Sequence, residues 1–403
     1  MKRLFAFFIL IFTALLWAES ADSEYMVQFS GFIKTDIILD SRQTVSAREG
    51  HFLLYPAGEL PDTNGLDINT GSNLNILAIQ TRLKVTITGP DAFGAKMGGL
   101  IEAEFFGQSN SDVNGLRLRH AFLKLNWVST ELLVGQFWHP MFVTDVFPGT
   151  VSFNTGAIFQ PFSRNPQIRL AQTTGNLKLI VAALSQRDFT STGPEGASSV
   201  YLRNAAIPNL HGQLQLKSKK RVFGISGDWK RLRPMLSFNN YETRKYVNSS
   251  SVMGYARLNL SAFTLKMEGV LGQNMTDHLM LGGYGIQSQD SSTGEMSYIP
   301  TSVMSVWTDI ACGNKLAGGC FIGYTKNLGA NDDKNGEFYG RGSNIDMIFR
   351  ISPRVMWNSG NTRLSTELEY TAAAYGTPDN QGKVTDTSLI ANTRLLVAIY
   401  YFF

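Results

Sequence analysis

TSLIANTRLLVAIYYFF, residues 387–403, alternates along its whole length. Its odd positions run Leu389, Ala391, Thr393, Leu395, Val397, Ile399, Tyr401 and Phe403, and the even ones include Ser388, Asn392, Arg394 and Ala398. A strand sends successive side chains to opposite faces, so this segment has one greasy face and one mixed face. It is longer than the average soluble strand of about six residues and has the length a tilted membrane-crossing strand requires. It closes on an aromatic residue, whereas terminal residues of soluble proteins usually fray into water. The competing reading is the edge strand of a soluble sandwich.

The start of the chain agrees. Lys2 and Arg3 precede an apolar run from Leu4 to Trp17, followed by Ala18, Glu19, Ser20 and Ala21. A short basic start, an apolar core of roughly 7–15 residues and a small-residue exit describe a secretory signal peptide. Cleavage after Ala18 or after Ser20 fits equally. The run falls short of the about 20 apolar residues of a helical anchor, and no later stretch approaches that length. The expected organisation is a signal peptide over 1–18 and a single transmembrane β-barrel domain over 19–403.

Of the 403 residues only 17% are charged, and 38 are glycine. Mean hydropathy near zero suits alternating strands better than membrane helices. The formal charge of +4 falls to +2 without Lys2 and Arg3, and no basic block points to nucleic acid. Cys312 and Cys320 flank a short segment in what the signal peptide makes an oxidising compartment. They either clasp a hairpin turn or stay separate thiols, out of register if the turn is tight. His51, His120, His139, His211 and His278 are scattered, with no metal-ligand spacing. No metal and no cofactor is expected.

Sixteen candidate strands follow from period-2 alternation. They lie near 24–40, 74–88, 94–107, 113–128, 131–139, 165–173, 176–185, 207–217, 220–233, 249–260, 263–275, 301–312, 316–326, 341–357, 361–374 and 387–403. In the strand at 263–273, Phe263, Leu265, Met267, Gly269 and Leu271 oppose Thr264, Lys266 and Glu268. Around His120 the alternation changes phase, which suggests a bulge. Links after odd-numbered strands are the longer ones, and those after even-numbered strands are turns of a few residues, such as Ser129-Thr130. An outer-membrane barrel has an even strand count, short periplasmic turns and longer external loops, whereas a soluble sandwich has no reason to sort its loops by parity. The fold class is therefore all-β, a 16-stranded antiparallel transmembrane β-barrel. Trp127, Phe137, Trp229, Trp357, Tyr401 and Phe403 lie near strand ends, where aromatic belts form.

If the apolar parity faces lipid, the other lines the lumen. Its cations are Lys34, Arg82, Lys84, Lys96, Arg117, Arg119, Arg169, Lys178, Lys217, Lys230, Arg257, Lys266, Arg350, Arg354, Arg363 and Arg394. Its anions are Asp36, Glu102, Glu104, Asp228, Glu268, Asp309, Asp346, Glu367 and Glu369. A basic lumen favours anions; the bland alternative is that these charges pair across strands and hold the wall together. The pore-lining candidates are Lys34, Arg82, Lys84, Arg117, Arg119, Arg169, Arg257, Lys266 and Arg350. The loop Pro140–Arg164 is mostly uncharged and rich in Phe, Gly and Thr. It either folds inward, bringing Asp145 and Arg164 near the basic wall, or packs on a neighbouring subunit.

The stretches LRLRHAFLKLNW at 116–127, LLVGQFW at 132–138 and NPQIRLAQ at 165–172 resemble DcaP-type outer-membrane porins. So do GFIKTDIILD at 31–40 and TRLKVTITGP with LIEAEFFG within 81–107. The terminal Phe403 likewise resembles the assembly signal of outer-membrane barrels. The resemblance implies a sixteen-stranded homotrimer in the outer membrane of a Gram-negative-type bacterium, with the lipid bilayer and small anionic solutes such as dicarboxylates as partners. It puts Arg117, Arg119 and Arg169 at a basic constriction, with Lys34 and Arg82 as weaker candidates. The chain departs from some members in lacking a helical segment before the first strand, and in carrying Phe137-Trp138-His139-Pro140 where the run is usually more polar. Two other classes stay in view. A barrel enzyme needs a nucleophile beside a base, and no Ser motif surrounds His120 or His139. A structural or adhesive barrel would have its lumen plugged, although sixteen strands ordinarily leave an aqueous channel.

Overall fold

Every strand of the main sheet pairs antiparallel with its neighbours, and the first pairs with the last, so the sheet closes on itself. A computed structural model describes residues 25–107 and 114–403. The expected signal peptide, and the starts of the first and fourth expected strands at 24 and 113, lie outside these. The barrel strands are β1 Met26–Asp40, β2 in two pieces at Asn73–Leu77 and Arg82–Thr88, β3 Lys96–Glu104 and β4 Arg117–Asn126. They continue with β5 Thr130–Trp138, β6 Arg164–Thr174, β7 Leu177–Leu184, β8 Asn209–Lys217, β9 Arg221–Leu232 and β10 Val247–Asn259. The last are β11 Thr264–Gln273, β12 Ser302–Gly313, β13 Leu316–Gly329, β14 Ile345–Ser359, β15 Thr362–Pro378 and β16 Val384–Phe402. Sixteen strands close the barrel, as the alternation predicts.

The seam joins Phe32 to Phe402 through Asp40 to Arg394. Gly31 and Phe403 exchange backbone hydrogen bonds there, at 2.9 and 3.2 Å. Parity does what membrane immersion requires: Ile33, Ile37 and Leu39 are exposed on the outside of β1, while Lys34, Asp36 and Asp40 are buried inside. Charge on the lipid face costs roughly 2–4 kcal/mol at mid-membrane, so the sequence has only one way to register its strands.

Among the departures from a regular wall, three stand out. β2 is interrupted at 78–81, so the outward parity changes from Leu74 and Ile76 to Leu83 and Val85, and Ile79 turns inward into the core. Between β3 and β4 the register shifts so that Glu102 faces His120 and Ala103 faces Leu118. Arg119 is the extra residue, and Arg119 and His120 both turn inward, the bulge expected at His120. The final hairpin is the third. Its strands run on past the wall, pairing Pro378 with Val384, so the last external connection is only 379–383.

The aromatics divide. Trp357, Tyr401 and Phe403 are exposed on the outside. Phe137 instead packs on His120 and Phe122, under the Arg169 guanidinium, on the inner wall. Cys312 sits opposite Gly318 and Cys320 opposite Ile310, so the thiols are out of register, and both are free. No helix among the described residues is long and apolar enough to cross a membrane.

Candidate functional site in the barrel lumen

Several loops enter the barrel, and two of them bring long apolar runs with them. The loop between β5 and β6, residues 139–163, crosses the interior with Met141, Phe142, Val146, Phe153, Ile158, Phe159 and Phe162 all buried. The loop after β1 sends in a hairpin, Thr44–Ala47 paired with Phe52–Pro56, whose Phe52, Leu53 and Leu54 are buried too. Their rings interlock: Phe52 meets Phe153 at 4.9 Å and Phe162 at 5.0 Å, and Trp138 stacks on Phe142 at 3.8 Å. Removing such a side chain from water contributes about 1.5–3 kcal/mol. That drives an apolar loop inward.

A loop taken out of water must have its backbone groups satisfied. The wall supplies the partners. Gly149 N–H donates to Asp309 at 3.0 Å, Val151 N–H to Glu367 at 2.6 Å, and the Asn154 amide to Glu369 at 3.0 Å. In the other direction Arg350 donates to the Ala157 carbonyl at 2.8 Å and to Leu53 at 2.7 Å. Lys34, paired with Asp36 at 2.8 Å, reaches the Val151 carbonyl at 3.1 Å. Lys34 and Arg350 are thus on the inner wall but covered by the loops they hold.

Beside this plug lies an arginine ladder. Glu104, fully buried, accepts from Arg82 at 3.1 Å and Arg164 at 3.3 Å, and also from Arg119. Asp188, from the loop after β7, takes Arg164 at 2.7 Å, Arg48 at 2.8 Å, and Arg117. Glu102 completes the group against Arg119 at 2.6 Å. Five arginines meet three carboxylates, so the cluster is formally +2. Arg48 Nε and Nη1 and Arg164 Nη2 have no hydrogen-bond partner among the described residues. Burial pulls the Arg48 guanidinium down to about 10 against the opposing pull of Asp188, so it stays charged at neutral pH.

Toward the short-turn end of the barrel the wall is more open. Lys84, Arg169, Arg257, Lys266 and Arg363 are all half-buried there or at mid-wall, and none forms an ion pair with a described carboxylate. Arg257 and Lys266 donate to the Asp145 and Phe147 carbonyls at 2.8 and 2.9 Å, and Arg169 to Gln167 at 2.8 Å. Lys217 binds the Asp145 carboxylate at 2.8 Å, while Lys124 and Lys178 share Glu131 at 2.6 and 3.8 Å. Of these eight cations only Lys124, Lys178 and Lys217 form ion pairs, with Glu131 and Asp145, although Asp309 stands across the strands from Lys266 and Glu102 from Lys84.

The nine expected pore-lining residues separate accordingly. Arg82, Arg117 and Arg119 form the ladder, Lys84, Arg169, Arg257 and Lys266 the open wall, and Lys34 and Arg350 the loop anchors. Asp145 and Arg164 come to the basic wall, as inward folding of their loop requires. Sequence reasoning missed Lys124, because the bulge at Arg119 inverts parity after it. It missed Arg48 and Asp188, because both are loop residues. The run Phe52-Leu53-Leu54-Tyr55 was the available signal that the first loop does not stay in water.

Residues 18–214, just under half of the chain, match the model of the DcaP outer membrane protein family. No curated protein matches the sequence. Among solved structures, the outer membrane channel DcaP of Acinetobacter baumannii superimposes with a TM-score of 0.72 at 16% identity, covering 96% of this chain and 99% of that one. OmpT of Vibrio cholerae gives 0.56 at 10% identity, covering 96% and 99%. The anion-selective porin from Comamonas acidovorans gives 0.55 at 12%, covering 94% and 100%. At these identities the likeness is one of fold.

Proposed function

Because the chain is a DcaP-like outer-membrane β-barrel, we propose that it is a porin whose lumen passes small anionic solutes, dicarboxylates among them. The observation that carries this is the set of cations in no ion pair with a described carboxylate, Lys84, Arg169, Arg257, Lys266 and Arg363, on the inner wall. Low-dielectric walls focus their field and raise the local anion concentration. The ladder beyond them adds unsatisfied guanidinium donors, whose forked geometry matches carboxylates. The likeness to an anion-selective porin, and to OmpT in what is described as its trimer form, supports reading the chain as an anion channel that assembles as a homotrimer.

The test is a planar-bilayer reversal potential under a KCl gradient. Wild type should favour chloride, and the triple variant Lys84→Glu, Arg257→Glu, Lys266→Glu should lose or invert that preference. Equal permeability to potassium and chloride in the wild type overturns the anion reading. Liposome swelling with a dicarboxylate against a neutral solute of the same size then separates substrate preference from simple selectivity. Electrophoresis without boiling, with cross-linking, tests the trimer.

The two inserted loops favour a second reading, a barrel that is closed and serves structurally. The same recording decides it, since a closed barrel gives no unitary current.

A further inference from the structure

Three of the five histidines, remote in sequence, meet inside the barrel. His139 opens the crossing loop, His211 sits on β8 and His278 lies in the loop after β11, and Asp228 on β9 stands among them. All four are buried. The ligand atoms of His139, Asp228 and His278 lie within 4.8 Å of one another. Asp228 Oδ2 is 3.2 Å from His211 Nδ1 and 3.4 Å from His139 Nε2. The His139 ring lies edge-on to those of His278 and His211, at 4.6 and 5.6 Å between centroids.

We propose that His139, His278 and Asp228 form a zinc site, with His211 holding the Asp228 carboxylate from the wall side, that ties the crossing loop to the wall and to the loop after β11. Zinc takes imidazole and carboxylate ligands at about 2.0–2.2 Å in a tetrahedron, whose edges are then about 3.3 Å. Asp228 Oδ2 and His139 Nε2, 3.4 Å apart, already have that spacing. Ligation also answers a buried polar atom otherwise left without a partner, since His278 Nδ1 has none among the described residues; either ring nitrogen of that histidine is a competent donor. Two neighbouring cations do not oppose the ion directly. Lys230 is committed to Asp277 and the Asn274 carbonyl, and Arg169 to Gln167 and the Trp138 carbonyl. Nitrogen and oxygen donors without sulfur suit zinc, cobalt and nickel rather than copper(I).

Two contacts must change. The Asn209 side-chain amide, 3.1 Å from His139 Nε2, gives way to the ion. Met141 N–H donates to His139 Nδ1 at 3.2 Å, which leaves the ring proton on Nε2. Coordination through Nε2 shifts that proton to Nδ1, and the Met141 amide then turns away. The base of the crossing loop is therefore the part that moves when metal binds.

The experiment uses the full chain purified in detergent, stripped with a chelator, loaded with zinc sulfate and desalted. Elemental analysis should find about one zinc per chain, and cobalt(II) in its place should give the visible absorption of a four-coordinate nitrogen–oxygen site. Asp228→Asn and His278→Ala should each weaken zinc at least about tenfold in competition with a chelating dye, and His120→Ala should not. Heat-modified migration on electrophoresis verifies that each variant is a folded barrel. If the wild type retains no zinc, or if both variants retain it unchanged, the proposal is wrong. Should a variant fail to fold, the wild-type zinc content and cobalt spectrum decide by themselves.

Discussion

Glu104, like Asp188, is a buried carboxylate on which three arginines depend. It has no exposure and accepts from Arg82, Arg119 and Arg164. Replacing one partner of a buried ionic network leaves the others desolvated and uncompensated, at about 3–5 kcal/mol. Glu104→Gln keeps the shape and removes the charge, so it should lower the temperature at which the barrel loses its folded electrophoretic mobility. Asp91, paired with Lys96 in an exposed turn at 2.7 Å, is the contrasting case, since surface pairs contribute little; Asp91→Ala should leave that temperature nearly unchanged. If both variants behave alike, the ladder is not an integrated network. Gly31 shows the same dependence on place at the seam. A Cβ there would sit 2.1 Å from the Arg82 carbonyl oxygen, closer than any relaxed backbone permits.

At the scale of elements, the inserted hairpin of the first loop is held by a histidine that resists protonation. Burial keeps the His51 imidazole below its ordinary 6.5; Asp36, at 3.2 Å, opposes this, and Lys34 and Arg394 add to it. Withdrawn into water, the ring returns to about 6.5. A group whose pKa is depressed in place takes up a proton on leaving, so acid favours withdrawal below about pH 6.5 and has no such effect above it. Conductance should therefore rise between about pH 7.5 and 5.5, and His51→Gln should flatten the profile. A wild-type profile as flat as the variant's would show that the hairpin does not leave.

The strands were legible because each wall position meets one of two solvents, which writes period 2 into the sequence. The phase change at His120 was legible for the same reason. The break at 78–81 was not, since Ile79 and Thr81 continue the pattern while Ile79 points the other way. Loops carry no such code. The apolar content of Pro140–Arg164 was enough to suggest that it leaves water, but the partners it finds, Asp309, Glu367 and Glu369, lie on β12 and β15 and become neighbours only once the barrel closes. The convergence of His139, His211 and His278 is hidden in the same way.

For the molecule as a whole, the lumen charges pair across strands and loops in one place and stand outside ion pairs in another. Carboxylates are concentrated where loops are inserted, and there they pair with arginine or accept loop N–H groups; toward the short-turn end, only three of eight cations form ion pairs, with Glu131 and Asp145. If the channel selects anions as proposed, the field of the open wall should supply most of the preference and the ladder the remainder. That field should be screened by salt, because the Debye length falls from about 10 Å at 0.1 M to about 3 Å at 1 M. The ladder, desolvated beneath the loops, should be screened far less. The chloride preference measured from reversal potentials should thus decline steeply between 0.1 and 1 M KCl without vanishing. The remainder at high salt should be sensitive to Arg117→Gln and insensitive to Lys266→Gln. A preference independent of salt would place selectivity in the ladder alone, and a complete loss at 1 M would place it in the open wall alone.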